Sequence, residues 1–111
     1  MSWHTTLQIR TLGYSDPVEL QFIEEIVLKQ LREDKVHPDV YLDLKQAFER
    51  GETVFNVHAA YLKQLLRRVS SNLPRTHFEV RCLGEEFRHT WVATFQHGKE
   101  VFSHGPWDYD A

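Results

Sequence analysis

After Thr76 the apolar residues change rhythm, and that change restricts the fold more than any other feature of the chain. The segments "THFEVRCL", "FRHTWVATF" and "EVFSH" alternate apolar and polar residues with a period of two, the pattern of half-buried strands. Between them lie "GE" (Gly84-Glu85) and "HG" (His97-Gly98), two dipeptides that suit two-residue hairpin turns. Such turns set Leu83 opposite Glu86 and Gln96 opposite Lys99. In that register Phe78, Val80, Cys82, Phe87, His89, Trp91, Ala93, Phe95 and Phe102 share one face. His77, Glu79, Arg81, Arg88, Thr90, Thr94 and Ser103 share the other. A sheet so divided needs a cover on its apolar side only.

The cover is encoded upstream, where the period is 3.6. Asp16 as N-cap, Pro17 at the first helical position and Glu19 open a helix. Leu20, Ile23, Val27 and Leu31 form its buried stripe, widened by Phe22, Ile26 and Leu28. A second helix restarts after His37-Pro38, with Val40, Leu44, Ala47 and Phe48 on one face and Gly51 as its terminator. A third runs from Asn56 to Ser70 on Val57, Tyr61, Leu65 and Val69, with Leu62 and Leu66 beside them, and stops at Asn72 and Pro74. The short "TVF" ahead of it fits either an extended segment or a first turn. At the N-terminus "WHTTLQI" alternates on Trp3, Thr5, Leu7 and Ile9, a further half-buried strand.

The expectation is an α+β fold of order β-α-α-α-β-β-β. Its antiparallel sheet has four strands, the N-terminal one added to a C-terminal three-stranded meander, and three helices pack on one face. Residues 1–104 form a single domain. Residues 105–111, "GPWDYDA", form a flexible acidic and aromatic tail. The 111 residues suffice for one core. Cys82 is the sole cysteine, so no internal disulfide and no tetrathiolate metal site exist. No signal-type leader and no membrane-length apolar run is present, which makes the cytoplasm the expected location and excludes a membrane partner.

His89 is the anomaly, an imidazole in the middle of an apolar row. His58 falls on the inward arc of the third helix, Cys82 lies diagonal to His89, and His104 lies opposite Trp91. Together Cys82, His89, His58 and His104 would suit a small enzyme or ligand-binding pocket between helix three and the sheet, with a thiolate nucleophile and an imidazole base. Against that stands a neutral core imidazole satisfied by a local hydrogen bond. No fixed-spacing catalytic, metal or cofactor motif supports the enzyme, so no cofactor is expected.

Charge supplies the other candidates. The net charge is −3, with six Lys/Arg and ten Asp/Glu in residues 1–55 and seven and six in 56–111. An acidic first half complements a basic protein surface, and Asp39, Asp43 and Glu49 with Tyr41 are the expected contact. Arg81 and Arg88, directly opposed in the expected register, would hold a partner carboxylate or phosphate in a fork. Lys63, Arg67, Arg68 and Arg75 offer a weaker nucleic-acid reading, with Ala47, Gly51 and Val57 matching part of a helix-turn-helix spacing. The acids of helix two and the inward aromatics disfavour it. In general character the chain is similar to small bacterial or phage proteins that act by binding another protein. The expectation is therefore a non-enzymatic interaction protein (an inhibitor, an immunity-type antagonist or an assembly subunit), with a homodimer permitted.

Overall fold

The computed structural model describes residues 4–12 and 20–105. Strand β1 (Thr5–Thr11) is followed by a 3-10 turn (Leu20–Ile23) and helix α1 (Glu24–Glu33). Helix α2 (Asp39–Arg50), strand β2 (Glu52–Phe55) and helix α3 (Ala59–Ser71) come next. Strands β3 (Phe78–Leu83), β4 (Trp91–Gln96) and β5 (Lys99–His104) complete an α+β fold. All pairings are antiparallel, in the order β2-β1-β3-β4-β5. The sheet thus has five strands rather than four. "TVF" is extended, and β2 pairs with β1 through Thr5 opposite Phe55 to Gln8 opposite Glu52. The Asp16-Pro17 helix start, Trp3 and residues 106–111 of the expected tail lie outside the described residues.

Three helices cover the inner face. Leu20, Ile23, Val27 and Leu31 are buried from α1 and its leading turn, Val40, Leu44 and Ala47 from α2, and Leu62, Leu65, Leu66 and Val69 from α3. They close on Leu7, Ile9, Phe55, Phe78, Val80, Cys82, Trp91, Ala93 and Phe95 of the sheet. Phe22 and Ile26 do not widen the α1 stripe; they are 72% and 43% exposed. Gly51 ends α2 in the left-handed region (φ 87°), donating its N–H to the Ala47 carbonyl at 2.9 Å, and so turns the chain directly into β2. Lys35, at φ 58°, closes α1 similarly: its N–H and that of Val36 bond Arg32 and Leu31 carbonyls.

The hairpin at His97-Gly98 forms as expected. Both residues have positive φ (55° and 78°), and Gln96 faces Lys99. Beyond it a bulge intervenes, since Phe95 pairs with Glu100 but Thr94 with Phe102. The extra residue turns Phe102 to the outer face, where it is 52% exposed, and puts Ser103 opposite Ala93 in its place. Glu100, ahead of the bulge, reaches α3 and accepts two hydrogen bonds from Arg67 at 2.8 and 3.2 Å.

The expected reversal at Gly84-Glu85 is replaced by a longer connection. Cys82 pairs with Trp91, so residues 84–90 leave the ladder and fold a 3-10 turn over Phe87–His89. The turn is closed by His89 N–H to Glu86 O at 2.8 Å and Thr90 N–H to Phe87 O at 3.0 Å. The shift from the expected register is even, so Trp91, Ala93 and Phe95 keep the inner face. It removes His89 from the core, where an imidazole would need a partner. It also sets Phe78 against Phe95, ring centroids 4.9 Å apart and nearly parallel. Phe87 leaves the core with His89 and is exposed.

One polar contact ties α1 to α3. Tyr61 Oη donates to Asp34 Oδ2 at 2.8 Å, and Gln30 Nε2 donates to the same oxygen at 2.9 Å. The Gln30 amide and then the Tyr61 hydroxyl hold the Asp34 carboxyl below its ordinary range, while burial and then Asp34 push the Tyr61 phenol up. A carboxylate depressed on folding contributes stability above its ordinary titration and loses it as pH falls; a raised phenol loses its contribution only in strong alkali. Tyr61→Phe should therefore cost about 0.5–1 kcal/mol at neutral pH in urea denaturation, the low end because the contact is exposed. The difference from wild type should fade below about pH 4. Identical midpoints at neutral pH would show that the contact contributes nothing.

Candidate functional site

The four residues of the Cys/His reading do not converge. His58 is not inside α3 but is its N-cap, with extended backbone (φ −67°, ψ 144°) and Nδ1 accepting the Ala60 N–H at 3.0 Å. An acceptor Nδ1 requires the neutral imidazole. His58 and His89 do meet, with ring centroids 4.5 Å apart and planes at 60°, at the partly exposed rim where the 84–90 connection reaches the start of α3. Trp91 pins that end of α3 to the sheet, donating Nε1–H to the Ala59 carbonyl at 2.9 Å.

Cys82 is fully buried on the inner face, between Leu7 and Trp91 in the ladder. Burial pushes its thiol up to about 12, so it carries no thiolate at neutral pH and lacks the activation a nucleophile needs. His104 pairs with Val92, not Trp91, and therefore falls on the outer face. Among the described residues no three His, Cys, Asp or Glu side chains are grouped to hold a metal ion.

The acidic residues of α2 separate into two flanks. Asp39 and Asp43, one turn apart, edge a groove of about 460 Å³ whose apolar wall is Val36, Val40 and Val57. Burial, and then the charge of Asp39, raise the Asp43 carboxyl above its usual range. His37 accepts the Asp39 N–H at 3.1 Å and lies 3.6 Å from its carboxylate. Glu49 belongs to the opposite flank, where it and Glu24 add to the burial that raises the Tyr41 phenol. Tyr41 itself is a core residue, 4% exposed, rather than a surface anchor. The exposed apolar side chain on this helix is Leu42, between the two flanks in helical phase.

Arg81 and Arg88 do not face each other. Arg81 is opposite Gln8 and Val92 on the outer face, while Arg88 sits in the 3-10 turn with its Nε 2.6 Å from Glu86. The basic residues of α3 are largely engaged: Arg67 with Glu100, and Lys63 with its Nζ 5.7 Å from the Trp91 ring centroid. Strand order also creates a second groove that no local pattern announces. It opens where α2 runs into β2 against β1 and β3, and Arg50 and Arg81 both line it. Comparison of the chain with protein-family models, curated proteins and solved structures gave no match.

Proposed function

We propose that the chain is a non-enzymatic protein-binding domain, of the inhibitor, immunity or assembly-subunit kind, and that the Asp39/Asp43 flank of α2 receives a basic side chain of its partner. One observation carries this reading: two carboxylates one turn apart edge an apolar-walled groove, and one is raised by burial and by the other. A Lys or Arg entering there would relieve the repulsion and cover Val36, Val40 and Val57 in the same step. Leu42, exposed beside them, adds apolar contact at the rim. Glu49, on the other flank, would aid encounter more than grip.

The experiment is affinity capture at low salt with wild type and with Asp39→Lys/Asp43→Lys. Loss of the captured partner in the double variant is the expected result, together with steep salt dependence in wild type. Retention of every partner by the charge-reversed chain at low salt would end the α2-flank reading. Asp39 is exposed and Asp43 partly buried, so circular dichroism checks that the double variant folds, and Asp39→Lys alone, at the exposed position, should give the same loss in smaller measure.

A further inference from the structure

We propose that the outer face of the sheet carries a carboxylate-binding groove, centred on Arg50 and Arg81, that takes an acidic side chain of a partner protein next to an apolar one. This rests on the protein-binding reading of the chain but not on the α2 flank, and it concerns a surface of opposite charge.

The groove, about 420 Å³, is built by four elements brought together by strand order. Gly51's left-handed turn leaves Arg50 at the end of α2 beside Glu52 of β2; β1 contributes Gln8 and Arg10, and β3 contributes Glu79 and Arg81. Its internal pairings leave a defined remainder. Arg10 lies 3.3 Å from Glu79 across the β1–β3 ladder, and Gln8 donates its amide to Glu52 at 2.8 Å across β1–β2. Arg81 stands between Gln8 and Val92, neither of which is charged. Among the described residues, neither Arg50 nor Arg81 has a carboxylate within 4.0 Å.

Two guanidinium groups therefore border one groove, neither of them ion-paired among the described residues, while its two carboxylates are taken up by Arg10 (Glu79) and Gln8 (Glu52). Three arginines against two glutamates leave an excess of one positive charge. That excess matches a single carboxylate, which a guanidinium binds through two parallel N–H donors. A polyphosphate or a nucleic-acid backbone would instead meet Glu52 and Glu79 at the groove walls, an electrostatic cost at each step along the chain.

A smaller cleft of about 140 Å³ adjoins, sharing Glu79 and Arg81 and walled by Val92, Thr94 and Phe102. Phe102 reaches this cleft only because the β5 bulge turns it outward. An apolar side chain adjacent to the bound acid fits there, so the recognised unit is an acidic residue followed by an aromatic or aliphatic one.

The test is an NMR titration of the full chain, ¹⁵N-labelled, with acetyl-Glu-Phe-amide, acetyl-Gln-Phe-amide and inorganic phosphate as separate probes. The glutamyl probe should shift the amides of Gln8, Arg81 and Val92. The glutaminyl probe should bind roughly tenfold more weakly, the loss of one charge-assisted fork. Arg81→Gln and, independently, Arg50→Gln should each weaken the glutamyl probe by a similar factor, with the remainder of the spectrum unmoved as the check on folding. Equal binding of the two peptides, or no shifts with either, overturns the proposal. Tighter binding of phosphate than of the glutamyl probe also overturns it, since the groove would then be a phosphate site. So do shifts at these amides that grow with protein concentration alone, which would assign the groove to a second copy.

Discussion

Phe78→Ala is expected to lower the stability of the fold by about 3–5 kcal/mol, a large part of what a domain of this size possesses. Phe78 is fully buried on the inner face of β3. Its ring stacks on Phe95 of β4 at 4.9 Å and takes the edge of Phe48 of α2 at 5.1 Å and 77°. Truncation removes the burial of an aromatic ring and leaves a void that three elements of regular backbone cannot collapse into. The ring-on-ring terms with Phe48 and Phe95 disappear as well. Chemical denaturation should show a large fall in midpoint with an unchanged slope. Phe78→Leu, which refills most of the space, should recover more than half of the loss. A loss below about 1 kcal/mol would mean that β3 and β4 do not pair in the register that opposes Phe78 to Phe95.

That register also marks the limit of what could be read from residue order. Trp91, Ala93 and Phe95 declare their common face through alternation, and Leu44, Ala47, Leu62, Leu65 and Val69 declare theirs through helical spacing. Burial is then set by geometry that repeats along the chain. Gly51 and His97-Gly98 are legible for a different reason: a left-handed backbone selects for glycine at or beside it. The 84–90 connection leaves no such trace. The expected register sets Cys82 opposite Phe87 and the observed one sets it opposite Trp91, a shift of four residues, so both present the same alternation and period alone cannot separate them.

The bulge between Glu100 and Phe102 is equally silent, because an inserted residue changes which face Phe102 occupies without changing any neighbour's identity. Tyr41 misleads because a phenol suits either a core or a surface, and only the packing of α1 on α2 decides. The Arg50/Arg81 groove is further still from the sequence. Its residues lie at positions 8–10, 50–52 and 79–81, and they meet only because β1 is inserted between β2 and β3. The sign of such a site was visible in Arg81; its companions were not. His58 and His89 are the intermediate case, since both were expected to point inward and they do meet, but at the rim and with His58 engaged as a helix cap.

Gly84→Ala should destabilise the protein by about 1–3 kcal/mol although it adds one methyl group at a partly exposed position. A Cβ at residue 84 would fall onto Cβ of His89 and within 3.0 Å of the His89 carbonyl oxygen. Neither can swing aside as the end of a long side chain could, since both are fixed by the 3-10 turn that His89 N–H closes on Glu86 O at 2.8 Å. The 84–90 connection must therefore open, and His89 must leave His58, whose ring centroid lies 4.5 Å away. Two readouts follow. Denaturation should report the lost stability, and the His58 and His89 ring resonances should both move although neither residue is altered. Gly84→Ser, which carries the same Cβ, should behave alike, whereas Glu85→Ala beside it should stay within about 0.5 kcal/mol of wild type. Had Gly84-Glu85 formed a two-residue hairpin turn of the type that needs glycine first, alanine at 84 would also be costly, but the ring signals of His58 would stay still. A stable Gly84→Ala chain with both imidazoles unmoved would show that the connection does not fold back on Gly84.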